Sequence, residues 1–538
     1  MIKKILASIF LLAILPFSNL IAQFHPSLTT QVRYGNGEQS IVGIKSDLVY
    51  REIISDGRLG LPYNFTAGFR FLYDEPPEVG QKYTGLKRRF IEYNNSDLFV
   101  RLGNFSELYG KGLALNLFEE RGLAYDTWMD GIKAKYEIAG LKISLLNGKI
   151  EYADSINYWR EEDYHLTAAN IEYEFNEYLN AGISFVSAKG ELPSNFLPEV
   201  TETKSEIPEF YFGLTYKEFD FFFNYASKWT NVKNIETANG FAIYSSLSYS
   251  GDGLGIILDY KNYLFDEKDP YSRNDFERPS RMLPTQNPPI AQKEHSKLFL
   301  SRAIHEVDFN DEVGLQAEIY YALNEQIFLS LNASVSSRHN SFDLKPNGYE
   351  FEVAERSGNY LPSLQDQYSP YWEYYFEAEY SPDYFTSIKF GIAQRSKQLY
   401  NDFTGIAGSH KLESLIFPVY IQHIFNREIS TTLQYEFESV EDNFNSAQPE
   451  YANHFVSTLW SLYSKLNVSL RYEYSTNEYD LSERQDWFTF EAGYRINQQN
   501  TISFSVGRER GGQTCSNGVC RYIQPFSGFR MNLISTIN

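Results

Sequence analysis

Cysteine is almost absent: the chain of 538 residues holds two, Cys515 and Cys520, which excludes a scaffold built on disulfides. Long apolar runs are missing too. Beyond the first two dozen residues none approaches the ~20 that a membrane-crossing helix needs. Basic residues are in deficit, 48 against 69 acidic ones, giving a formal charge of -21. Nucleic acid is therefore excluded as a partner, because its phosphates would be repelled. Catalytic signatures are lacking as well. There is no G-x-S-x-G, no H-E-x-x-H and no phosphate loop. The histidines are scattered, and His454 lies three residues from Ser457, on the opposite face of an extended strand. The reading is of a chain that is not an enzyme and takes no cofactor or metal.

What is present begins with MIKKILASIFLLAILPFSNLIAQ. A basic start at Lys3 and Lys4, an apolar run from Ile5 to Pro16 and a small residue at Ala22 form the three parts of an export signal. Residues 1–22 are read as a cleaved signal peptide and residues 23–538 as one domain. Gln23 stands where a lipoprotein would carry Cys. Cleavage removes two lysines and takes the formal charge to -23.

Aromatic residues make up 17% of the chain, and they alternate with polar ones. In NVSLRYEYS, Val468, Leu470, Tyr472 and Tyr474 share one face while Ser469, Arg471, Glu473 and Ser475 share the other. In EISTTLQYEFE, Ile429, Leu433, Tyr435 and Phe437 oppose Glu428, Gln434, Glu436 and Glu438. ANIEYEF and TISFSVGRE repeat the period. The connections alternate as well. Short ones occur at NEYLN, KEFD, SGDG, LNEQ, SPDY, FNRE, SKLN and NQQN. Long polar ones fall between them, near 189–207, 228–239, 265–311, 337–370, 397–410, 439–451, 476–485 and 510–526. A propeller would repeat about every 40–45 residues, and no such repeat is found. A soluble sheet protein gives no reason for every second connection to be short. The pattern predicts an all-β fold, a transmembrane antiparallel β-barrel of about 22 strands within a range of 18–24, with short periplasmic turns and long extracellular loops. The address is the outer membrane of a Gram-negative bacterium, with membrane lipid around the barrel.

Three stretches carry a resemblance to a known family: VRLGNFSELYGKGLALNLFEERGLAYD at 100–126, NPPIAQKEH at 287–295 and GGQTCSNGVCR at 511–521. Here the chain resembles an uncharacterised family of outer-membrane barrels from Bacteroidota, a domain of unknown function. The resemblance implies location and fold and brings no activity.

The first of these stretches holds the candidate site. Glu107, Lys111, Glu119, Glu120, Arg121 and Asp126 sit among Phe105, Tyr109, Phe118, Tyr125 and four glycines. Charges facing lipid cost ~2–4 kcal/mol near the midplane, so they are expected inside the lumen. Lys111 and Arg121 are expected to neutralise the nearby carboxylates. The cluster is either a constriction that meets a solute or a set of ion pairs bracing the wall. Cys515 and Cys520 enclose SNGV and are expected to pair in an oxidising exterior. The 265–311 loop either folds inward or lies outside as a partner surface, and its LFLSRAI is either a short strand or a helix. Glu172, Glu174, Glu436, Glu438 and Glu473 on polar faces predict an acidic interior. Together these readings favour a pore or transporter-like channel for small non-anionic solutes. The alternative is a non-catalytic scaffold or anchoring barrel for a surface or secretion complex, with other envelope proteins as partners.

Overall fold

The short connections explain the fold locally. Asn or Asp opens five of them, at Asn95, Asn176, Asn324, Asp383 and Asn426. In each, the side-chain oxygen accepts the backbone N–H groups two and three residues on. Such a residue closes a turn from its own side chain. Asp252 and Gly253 both take positive φ, 46° and 77°, as a two-residue hairpin turn requires. The computed structural model describes residues 24–41, 44–153, 161–193, 200–232, 238–265, 283–302, 304–347, 351–400, 407–480, 482–516 and 518–537. The expected signal peptide, 1–22, lies outside them.

The strands form a single 24-stranded antiparallel sheet in which neighbours in sequence pair. The ring closes where the strand His25–Ile41 pairs with Phe526–Ile537, from Leu28 opposite Ile537 to Gln39 opposite Phe526. Closure removes every sheet edge, the condition for backbone to cross hydrocarbon. Outward side chains are apolar around the circumference, among them Leu102, Ile132, Leu145, Ile183, Phe210, Leu258, Leu331, Phe390, Leu433, Leu470 and Phe504. Tyr63, Tyr178, Tyr384, Phe425 and Tyr463 mark the rim at the short turns, where aromatic girdles sit. This is a transmembrane β-barrel. The strand His25–Ile41 starts, and the strand Phe526–Ile537 finishes, at the short-turn rim.

The count of 24 is the top of the expected range and two above the expected value of about 22. The loops are also shorter than the sequence reading expected. Residues 189–207 were assigned to a loop, yet pairing continues to Pro193 opposite Val200. Thr203 still pairs with Val232, and Thr230 with Ala238. These strands run on past the apolar belt. Beyond hydrocarbon the outward residues turn polar, as at Glu202, Lys204 and Glu206, while the buried inward Thr203 and Ser205 are polar too, so period-two patterning ceases to mark a strand although pairing persists.

Candidate functional site

A sheet of this size encloses more space than its own side chains fill. Three connections at the long-loop end turn into that space. The first links two paired strands, Leu98–Phe105 and Met129–Ile138. Its tip, YGKGLAL, is apolar: Tyr109, Leu113, Ala114 and Leu115 are fully buried against Leu146, Ile150, Leu166, Val186, Ile207 and Ala226 of the inner wall. Burying such side chains contributes ~1.5–3 kcal/mol each. Gly110 and Gly112 take φ +50° and +88°. A Cβ on Gly110 would stand 2.5 Å from Asn224 Nδ2, and one on Gly112 would stand 2.7 Å from the Asn287 carbonyl oxygen. These two glycines are therefore places of close approach. Burial pushes the Tyr109 hydroxyl above its ordinary pKa, and that hydroxyl lies 3.3 Å from Ser144 Oγ.

The charged residues of this segment do lie inside the barrel, but their partners are not those expected. Glu107 meets Lys133 at 3.2 Å and Lys135 at 2.9 Å. Glu119 takes Arg70 at 2.7 Å and Arg88 at 2.8 Å. Asp126 takes Arg88 at 3.1 Å and Lys87 at 3.5 Å. Arg121 pairs with Glu52. Glu120 caps the short turn Arg121–Leu123 by accepting the Gly122 N–H at 3.2 Å. The Lys111 ammonium stands 5.2 Å over the Phe222 ring. For Glu107, Glu119 and Asp126 the expected neutralisation by Lys111 and Arg121 is thus replaced by pairing to the wall, while Glu120 stays engaged with its own turn. The reason is steric: a narrow segment directs its side chains away from its own backbone, towards strands that carry Arg70, Arg88, Lys133 and Lys135.

The second connection, 265–311, joins neighbouring strands, Leu254–Leu264 and Glu312–Ala322, yet its described part crosses the lumen. It touches the first segment where Asn116 N–H donates to the Thr285 carbonyl (2.7 Å) and Gln286 Nε2 donates to the Leu113 carbonyl (3.0 Å). Lys261 Nζ then holds the Ile290 carbonyl at 2.6 Å. Lys293 meets Glu318 at 3.0 Å, and His295 meets Glu373 at 2.7 Å. Across the barrel, LFLSR, the described part of LFLSRAI up to Arg302, is neither strand nor full helix but one helical turn, closed by the Ser301 N–H donating to the Lys297 carbonyl at 2.9 Å. Phe299 and Leu300 bury against Tyr375, Ala393, Ile416 and Phe455. Glu436 accepts the N–H groups of Leu298 and Phe299 at 2.8 and 2.9 Å. At the other end of the turn, Arg395 donates to the carbonyls of Phe299 (2.8 Å) and Leu300 (3.2 Å). Anion at the N-end and cation at the C-end match the turn's dipole.

This arrangement corrects the expected acidic interior. Glu172 and Glu174 share Lys142. Glu436 holds the crossing turn, Glu438 pairs with Arg395 at 3.2 Å, and Glu473 binds Arg302 and Arg510. The carboxylates are inward, as their faces require, but each is engaged.

The third connection forms a hairpin, Gly512–Ser516 with Val519–Ile523. Cys515 and Cys520 are disulfide-bonded within it. Its tip enters the same core, where a Cβ on Gly518 would lie 2.9 Å from Phe309 and 3.0 Å from Ile290. Arg510 at its base pairs with Glu473 and Asp480, both at 2.8 Å. Burial alone would lower its pKa, but these two carboxylates outweigh burial and raise it.

Two cavities flank the inward segments. One, about 560 Å³, opens at the long-loop end between Arg33, Tyr50, Glu52, Glu78, Arg121 and Arg530. The other, about 590 Å³, lies towards the short turns between Glu107, Lys111, Lys135, Lys142, Glu172 and Tyr211.

The chain belongs to a family of unknown function, DUF6029, which matches residues 59–537. No curated protein matches. Among solved structures, the siderophore receptor PirA from Pseudomonas aeruginosa is similar at 8% identity and TM-score 0.45, covering 96% of this chain and 80% of that one. The FrpB iron transporter from Neisseria meningitidis gives 9% identity and TM-score 0.46, with 95% and 82% covered. The translocation pore of the P pilus usher PapC gives 8% identity and TM-score 0.40, with 95% and 99% covered. At these values the likeness concerns barrel architecture and nothing of cargo.

In this DUF6029 chain the sequence reading singled out the loop charges and missed the strand residues that receive them, Glu52, Arg70, Lys87, Arg88, Lys133 and Lys135, and with them the lumenal arginines Arg33, Arg395 and Arg530. Their signal was the same alternation. In TQVRYGN and AGFRFLYD an arginine occupies the face opposite the apolar one.

Proposed function

We propose that this protein is an outer-membrane barrel of a Gram-negative, Bacteroidota-type envelope, exported by cleavage of residues 1–22. It passes small, non-anionic solutes through a lumen narrowed by its own segments. The observation that carries this reading is the set of wall groups engaged with the crossing loop, Glu436, Arg395 and Glu473, beside cavities with charged linings at both ends. Such a lumen is neither a wide open pore nor a solid core. The reading assigns no catalytic role. Reconstitution in planar bilayers tests it: small, regular conductance steps are expected. Absence of steps, or strong anion preference, would remove the idea.

A second reading is an anchoring barrel for other envelope proteins. It is favoured by apolar side chains exposed at the long-loop end, namely Tyr360, Leu361 and Leu364 in one loop, with Phe444 and Tyr479 in others. Pull-down in mild detergent discriminates. A partner recovered at fixed stoichiometry favours the anchor; a lone barrel favours the conduit.

A further inference from the structure

The inward segments do not use the whole wall. From the strand Leu141–Ala153 round to Asp486–Arg495, every strand buries part of its inner face. These inner faces hold apolar groups such as Leu146, Leu166, Val186, Ile207, Ile416 and Phe455, or charged groups already engaged with the loop. The face changes at the next three strands, Asn500–Glu509, Phe526–Ile537 and His25–Ile41, where burial of the inner face is confined to Gly35 beneath Tyr50 and Phe526 at the outer end. Outward Phe504, Val506 and Phe529 are exposed apolar residues, so their neighbours Ser503, Ser505, Arg530 and Asn532 point inward. None of these inward residues is buried. The polar ones lie flat: Gln31 Nε2 donates to Asn532 Oδ1 at 3.0 Å, and Thr29 and Thr536 hydroxyls are 3.3 Å apart. Side chains bonded along the wall leave the space in front of them free. An inner face of Ser, Thr, Gln and Asn is matched to water, whereas the faces under the plug are matched to Leu and Tyr.

We propose that a hydrated route follows this sector and that its narrow point is an eyelet of opposed charges, a site for small hydrophilic solutes of zero net charge such as amino acids and simple sugars. The inference rests on the conduit reading above. Three guanidinium groups, Arg33, Arg121 and Arg530, face three carboxylates, Glu52, Glu78 and Glu509. Arg33 lies 3.3 Å from Glu52, and Arg530 lies 3.3 Å from Glu78. Arg33 also pairs with Glu78, Arg121 with Glu52, and Arg530 with Glu509. The six groups line the outer cavity of about 560 Å³. These six carry equal numbers of each sign and set a field across the opening, while the rest of the cavity lining, Lys82 and Lys87 against Asp74, Glu119, Asp126, Glu151 and Glu161, is acidic and turns anions away. A zwitterion or polyol can exchange its water for both signs at once, while an ion of either sign meets repulsion from half of the ring. The carboxylates of the far wall take no part, because the crossing loop engages them.

The test is single-channel recording and liposome swelling with glycine and glucose on the full mature chain. Ser505→Trp and Asn532→Trp narrow the sector, and Gln422→Trp places the same bulk on the inner wall six strands from Asn532, below the loop. Heat-modifiable gel mobility verifies that each barrel has folded. Conductance and swelling should fall at least twofold in the first two variants and stay at the unmodified level in the third. Ser505→Cys, which adds no bulk, should lose conductance when a charged methanethiosulfonate reagent is added to the folded barrel. If conductance persists and neither the tryptophans nor the reagent changes it, the route lies elsewhere and this inference falls while the conduit reading stands. If the unmodified protein shows no conductance and no swelling, both fall. A strong preference for ions over glycine and glucose would overturn the solute class.

Discussion

At Gly112 two demands coincide. The backbone takes φ +88°, and a Cβ would stand 2.7 Å from the Asn287 carbonyl oxygen. Gly112→Val would meet both the strain and the clash, a cost of ~1–3 kcal/mol. The damage should be local, since Gly112 lies in no barrel strand. Hydrogen exchange over 106–128 should accelerate while the strands keep their protection; equal protection in variant and parent would show that the tip does not depend on this approach. Lys293 offers a pH test of the second segment. Burial lowers its pKa, but hydrogen bonds to Glu318 and Tyr320 outweigh burial and leave it raised. A raised value means that its contribution is complete below the unfolded lysine value of ~10.4 and is lost as pH climbs through the folded one. Lys293→Met should therefore loosen residues 283–302 equally at pH 7 and pH 9, read by proteolysis of the folded barrel. A difference that vanished at pH 9 would contradict the raised pKa.

The turn at Lys297–Arg302 is held from both ends by the wall, and its response to substitution tests the element as a unit. Glu436→Leu would leave the N–H groups of Leu298 and Phe299 without their acceptor, ~1–3 kcal/mol for each buried group. Arg395→Met would free two carbonyls and leave Glu438 without its cation, ~3–5 kcal/mol where the remaining charge stays buried. Because both residues hold one turn, the double variant should cost less than the sum. A Ser301→Cys reporter should react slowly with a water-soluble thiol reagent in the parent and faster in either variant; unchanged reactivity would mean that the turn is held by Phe299 and Leu300 packing alone. The same element shows what a sequence discloses. Alternation and the Asn or Asp turns are local, so the barrel, its short connections and the inward side of Glu436 and Glu473 could all be read. The partners could not. Arg395 meets the turn across 95 residues and Glu473 meets Arg302 across 171; no local pattern encodes which lumenal charge a distant loop will reach. The extended strands at 189–207 escaped for a different reason, because polar residues on both faces, Glu202, Lys204 and Glu206 outward and Thr203 and Ser205 inward, erase the two-residue period that a membrane imposes.

On the scale of the whole molecule, the barrel and its contents are separable. The ring of 24 strands closes through backbone pairing alone, and the crossing loop joins two strands already paired side by side. Replacing residues 283–304 and the preceding 266–282 with a short Gly-Ser linker should therefore leave the barrel folded. The lumen would fill with water rather than collapse, so Glu373, Glu436 and Glu473 would gain hydration in place of His295, the turn and Arg302. Two outcomes are expected together. Conductance should rise severalfold, because a barrel of this strand number is wide once emptied. Selectivity should also move towards cations, because the loop removes Lys293, Lys297 and Arg302 with it and uncovers the acidic face of the far wall. Reversal potentials in a salt gradient read the second change independently of the first. Larger steps with unchanged selectivity would mean that the far-wall carboxylates lie away from the current. Unchanged steps in a folded barrel would mean that residues 106–128 and the disulfide-bonded hairpin close the lumen without the loop, and that the crossing turn braces the wall rather than narrowing the passage.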